Sequence, residues 1–192
     1  KRYLNRAPKQ NIGNPYLVEQ MGRFCTLIDD TSQFPFPQQI AAAFGKFFWI
    51  ENCLNGPPTY AWQSLAEVSR EWEKKGCGPL LTFSTDELAA IKRRRTELGV
   101  PPNAWHVCLH VRDAGYKQHH EDLHATLNAD IRTYDLAIAS VVKRGGWVIR
   151  MGDPSMPVLQ KTKNVIDYAH SPQRSPEMDI FLAATCRFFI GT

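Results

Sequence analysis

Between Trp105 and Gly191 the chain repeats one arrangement four times: a short apolar run that closes on polar or small residues. The runs occupy residues 105–111, 147–151, 164–168 and 187–191. Short continuous apolar runs of this kind suit strands buried on both faces. Between the first and second, a helical pattern begins at about Asn128, carries Ile131, Tyr134, Ile138, Val141 and Val142 on one side, and ends at Gly145 and Gly146. Between the third and fourth, Ser175, Pro176 and Glu177 read as the N-cap, first-turn proline and early acid of a helix that turns Met178, Phe181, Leu182 and Thr185 inward. Strands separated by helical segments need crossover connections, so the spacing predicts an α/β domain, a Rossmann-like parallel sheet with helices on both faces.

Another helix start lies upstream. Ser84 and Glu87 have the spacing of a capping box, and the helix they open should run to Leu98, where Gly99 and Pro101 stop it. Its basic run from Lys92 to Arg95 reads as a solvated face. Residues 1–83 are rich in proline and aromatic side chains and show only short helical patterns, at 16–24 and 61–74. The expected organisation is part of an N-terminal, acceptor-side domain over 1–83, a connecting helix and linker over 84–104, and the first part of a C-terminal domain over 105–192. A chain that opens at Lys1 without methionine and stops at Thr192 directly after a strand-like run reads as a fragment of something longer.

Charge and cysteine content narrow the partners. A net charge of +4 falls short of the concentrated basic face that nucleic-acid binding needs, so no nucleic acid is expected. The richest apolar stretch, residues 41–50, is interrupted by Gly45 and Lys46, so no transmembrane segment is expected either; peripheral contact with the inner face of a membrane stays compatible. Five dispersed cysteines without a C-x-x-C pair favour reduced thiols and a cytoplasmic location. Cys108 and Cys186 lie in apolar runs and read as inert core residues.

Open parallel sheets bind ligands beyond the carboxyl ends of their strands. That rule collects His110, Arg112 and Asp113 after the first run, Arg150, Gly152 and Asp153 after the second, Asp167, His170 and Ser171 after the third, and Gly191 and Thr192 after the fourth. An arginine leaving a buried strand can clasp a phosphate through two hydrogen bonds, or can pair with an adjacent acid; Arg112 has Asp113 beside it and Arg150 has Asp153 nearby. The start of the helix at Ser175 adds a partial positive charge to the same edge. Neither a dinucleotide fingerprint nor a P-loop is present. The segment holding His119, His120, Glu121, Asp122 and His124 matches no zinc-binding spacing and reads as a polar lid over the ligand. No metal and no bound cofactor are expected.

The residues from Pro101 to Asp113, Asn128 to Ile131, Gly145 to Asp153, Ile166 to Ala169, Met178 to Leu182 and Cys186 to Thr192 closely resemble a group of bacterial glycosyltransferases from surface-polysaccharide gene clusters. More distantly, His110-Val-Arg112 is similar to the H-x-R motif of the fucosyltransferase superfamily, which has the GT-B fold of two Rossmann-like halves. The resemblance implies a nucleotide-sugar donor, GDP-sugar favoured, and a glycan or polysaccharide acceptor, with inverting, metal-independent transfer. It implies that Arg112 holds the donor pyrophosphate, that His110 lies against the nucleotide and that Asp179 contacts the nucleoside. Asp113 and Asp153 are candidates for the general base, with a residue of the N-terminal domain an equal alternative. Two other functions would use the same residues: a nucleotide- or glycan-binding module without catalysis, and a nucleotide-sugar epimerase or hydrolase of the same fold.

Overall fold

The computed structural model describes residues 3–5, 13–24, 26–28, 50–51, 59–112 and 128–191, in a chain that divides into two compact units, Lys1–Thr82 and Phe83–Thr192. In the first unit, β1 (Tyr3–Asn5) pairs in parallel with β2 (Thr26–Ile28), and β3 (Ile50–Glu51) pairs antiparallel with β4 (Thr59–Tyr60). Helix α1 (Pro15–Met21) starts where the Asn14 side chain accepts from the Leu17 amide at 2.9 Å and proline fills the first position. Helix α2 (Ala61–Lys74) ends where the Trp72 indole donates to the Gly78 carbonyl at 2.8 Å, which folds the following turn back on the helix.

The second unit contains α3 (Thr85–Glu97), β5 (His106–His110), a 3-10 turn (Ile131–Tyr134) leading into α4 (Asp135–Lys143), β6 (Trp147–Arg150), β7 (Val165–Asp167), α5 (Pro176–Thr185) and β8 (Phe189–Gly191). The four strands form one parallel sheet in the order β7-β6-β5-β8. Numbered along the chain that is 3-2-1-4, the order of a Rossmann-like half-sheet. The path through α4 moves the chain from β5 to β6, whereas the path through α5 carries it from β7 back past both strands to the opposite edge. Right-handed crossovers running in opposite directions must lie on opposite faces.

The side chains follow that rule. On one face Val107, Leu109, Val111 and Val148 pack with Val141 of α4 and with Ile131, Tyr134 and Ile138. On the other, Cys108, Ile149 and Met151 pack with Ile91 of α3 and with Met178, Phe181 and Leu182 of α5. Fully burying each such side chain contributes about 1.5–3 kcal/mol, and this holds the helices to the sheet. Helix α3, expected as a connector, is thus part of this core: Ile91 is completely buried and Phe83 meets Phe181 edge-on at 5.7 Å. Its capping box forms as the sequence requires, with Ser84 Oγ accepting from the Glu87 amide at 3.2 Å and Glu87 Oε2 accepting from the Ser84 amide at 2.6 Å.

Some local expectations are revised. Arg94 belongs to no solvated face: it donates to Glu177 at 3.0 Å, to Ser175 Oγ at 2.9 Å and to the Gln173 carbonyl at 3.1 Å, tying α3 to the start of α5. Arg95 donates to the carbonyls of Pro101 and Pro102. The helix expected from about Asn128 begins as the 3-10 turn, because the Asp130 carboxylate takes the Arg132 amide and caps it there. Thr185 is exposed, and its hydroxyl donates to the Phe181 carbonyl at 2.7 Å in the last turn of α5. The link from β6 to β7 has no helix, consistent with a stretch broken by Gly152, Pro154 and Pro157.

At the amino edge of the sheet Trp105 lies flat over Gly146, where a Cβ would run into its ring, and the Arg187 guanidinium sits 5.1 Å from the ring centre on strand β8's approach. Gly146→Ala should therefore destabilise the unit by about 1–3 kcal/mol through overpacking, whereas an alanine at Gly78, where nothing lies within 4 Å, should be close to neutral. Equilibrium denaturation of the two variants beside the wild type checks this.

Candidate functional site

The strand order defines where a ligand fits. The helices that follow β5 and precede β8 pack on opposite faces of the sheet, and the rule for such sheets puts a ligand crevice beyond the carboxyl ends of these two neighbouring strands, the switch point. His110 and Gly191 are paired across it, and a Cβ on Gly191 would lie 3.6 Å from the His110 carbonyl oxygen. The glycine keeps backbone exposed on that side of the crevice. His110 is half-buried; burial first, and the positive charge of Arg150 second, hold its imidazole below the ordinary histidine range, so it is neutral at pH 7. Arg112 follows, partly buried, and its carbonyl accepts from the Ala129 amide at 3.0 Å. That bond pins together the two ends of the stretch that carries Asp113 and the expected lid; Asp113, the His119–His124 segment and Thr192 lie outside the described residues.

The loop after β6 approaches the same crevice. Gly152 has φ +137°, a region that favours glycine, and a Cβ there would strike Met156 Sδ and come within 3.9 Å of the His110 ring. Asp153 accepts from the Ser155 amide at 2.9 Å and lies 4.0 Å from Arg174. The Ser155 amide above all keeps its carboxyl below the usual carboxylate range, which makes it a weak proton acceptor.

Arg150 does not pair with Asp153. Its guanidinium, 2% exposed, donates to Asp167 Oδ1 at 2.9 Å, the residue directly opposite it in the β6–β7 register. Asp167 Oδ2 also accepts from the Leu159 amide at 2.9 Å and lies 2.9 Å from His170 Nδ1, while His170 Nε2 lies 3.2 Å from the Pro154 carbonyl oxygen. Burial pushes the Asp167 carboxyl up, but the Leu159 amide, Arg150 and His170 outweigh it and hold the group below its ordinary value. The strand-end rule collects Asp167 and His170 but not their partnership with Arg150, which depends on the register between two strands.

Three further candidates stand in the turns around the start of α5, each with local partners. Ser171 bonds with Gln173, donating to its side chain and accepting from its amide. Ser175 caps α5 by accepting from the Met178 amide at 3.2 Å, and also takes Arg94. Asp179 is half-buried, and burial raises its carboxyl against the opposing influence of Tyr168 and Arg174. The structure thus brings His110, Gly152 and Gly191 together at the switch point, with Arg112 leading out of it, and places Arg150 in an ion network in the β6–β7 half of the sheet. Among the described residues no group of three or more His, Cys, Asp or Glu side chains could hold a metal ion, and no helix is long and apolar enough to cross a membrane.

Replacing Asp167 by Asn strands the Arg150 charge in the interior, so Asp167→Asn should lose about 3–5 kcal/mol of stability at neutral pH. A depressed folded-state pKa means that the contribution of Asp167 is complete above the unfolded carboxylate value, about 3.9, and is lost as pH falls through the lower folded value. The gap between wild type and Asp167→Asn should consequently shrink only on acidification below about pH 4, as denaturation series across pH would show. No protein-family model matches this chain, and neither does any curated protein or solved structure.

Proposed function

We propose that this chain is part of a glycosyltransferase of the GT-B class, which moves a sugar from a nucleoside diphosphate, GDP-sugar favoured, to a hydroxyl of a glycan or polysaccharide. The observation that carries the reading is the 3-2-1-4 strand order, whose switch point falls where the His110-Val-Arg112 motif leaves β5 beside Gly191. A diphosphate suits that position. Arg112 offers a fixed cation with a planar fork, and the exposed backbone at Gly191 permits close approach. A neutral His110 can face a sugar or base hydroxyl without adding charge.

In the transfer the acceptor oxygen attacks the anomeric carbon as the bond from that carbon to the diphosphate oxygen breaks. The electron pair leaves with the diphosphate, and the acceptor's proton goes to a carboxylate base. Arg112 stabilises the charge that grows on the leaving group. Arg150, bound to Asp167, serves as a buried anchor for this edge of the sheet rather than as a phosphate ligand. The hydrogen-bonded, readily ionised Asp153 is a weak base candidate, which leaves Asp113 or a residue of the N-terminal domain for the role.

Thermal denaturation with GDP-, UDP-, dTDP- and CMP-sugars tests the reading. One nucleotide should stabilise the protein by about 2.7 kcal/mol at a hundred times its Kd. Arg112→Ala, which removes a charged hydrogen bond worth about 1.5–3 kcal/mol, should weaken that binding at least tenfold. Silence with all four donors would sink the reading. Binding without transfer to any acceptor would instead favour a nucleotide-binding module.

A further inference from the structure

His170 stands at the end of the 3-10 turn Tyr168–His170 that follows β7, and both of its ring nitrogens face oxygen atoms that cannot donate. Nδ1 is 2.9 Å from the Asp167 carboxylate, and Nε2 is 3.2 Å from the carbonyl of Pro154, in the loop after β6. A neutral imidazole carries one N–H and would satisfy one of these contacts while turning a lone pair against the other oxygen; only the imidazolium donates to both. Asp167 is kept ionised by its own partners, so it presents an acceptor over the whole range in which histidine titrates.

We propose that His170 is a proton-dependent clasp, which in its charged form joins the turn after β7 to the loop after β6 and in its neutral form releases Pro154. The groups that bear on it come from each neighbouring segment. Asp167 of β7 is its ion-pair partner, Arg150 of β6 binds the other oxygen of the same carboxylate, and Asp153 and Arg174, 4.0 Å apart, are the next charged groups along the two joined segments. The consequence reaches His110, because the segment that Pro154 belongs to also holds Gly152, where an added Cβ would lie 3.9 Å from the His110 ring. With the clasp closed, residues 152–156 are held at both His170 and Met156, a buried side chain. With it open, only Met156 and the Asp153 turn remain. The device is independent of which ligand the crevice takes.

Hydrogen exchange of the whole chain between about pH 5 and pH 8, corrected for intrinsic exchange rates, tests it. Amides of 152–160 should lose about tenfold in protection as pH rises, the worth of one charged hydrogen bond, while those of β5 stay constant. In His170→Gln, which has no titrating group, the same amides should show no pH dependence. A wild-type profile flat across the range, or a His170→Gln profile that varies like the wild type, overturns the proposal. Imidazole nitrogen NMR of the wild type gives a readout that needs no variant: both His170 nitrogens must carry protons in the protected state, and a singly protonated ring there is equally fatal.

Discussion

The buried pair of Arg150 and Asp167 is the contact on which the carboxyl edge of the sheet depends. Strand β7 is three residues long and lies at the rim, and the chain that reaches it from β6 has no helix to pack against the core. One carboxylate ties that path to its neighbours at three points. Asp167 takes a guanidinium from β6, an amide from the connecting loop and an imidazole from the turn that follows. Taking two charges out of water costs several kcal/mol per ion, and such a pair is tolerated only when further hydrogen bonds satisfy what remains. Here the additional partners come from the segments that most need anchoring, so the arrangement that solvates Asp167 also sets the shape of the edge.

Against that anchored side, the β5–β8 side of the edge is open. The residues on that side are a neutral histidine, an arginine and a glycine. Among the described residues, the acidic groups near the edge are either held by partners, as Asp167 and Asp153 are, or half-buried beside Tyr168, as Asp179 is.

Much of the second unit could be read from the chain because its signals are local. Ser84 with Glu87 and Ser175 with Pro176 announce helix starts within a single turn, and the buried strands show as unbroken apolar runs. The Rossmann-like layering followed from their alternation. What could not be read is what depends on pairing across distance. Arg150 had Asp153 nearby in sequence, yet its partner is Asp167, chosen by strand register. Arg94 looked solvated because its acceptors lie on a helix formed some eighty residues later. The first unit was opaque for a different reason: the strands among its described residues are two or three residues long, too short for any periodicity to register.

The bond between the Ala129 amide and the Arg112 carbonyl has a bearing on how such a site diversifies. It fixes the distance between the two ends to which the intervening stretch is attached. Doubling the length of a closed loop costs only about 0.6 kcal/mol in closure entropy. Descendants of this chain could therefore exchange, lengthen or shorten that stretch, and with it whatever it contacts, while β5 and α4 keep their places.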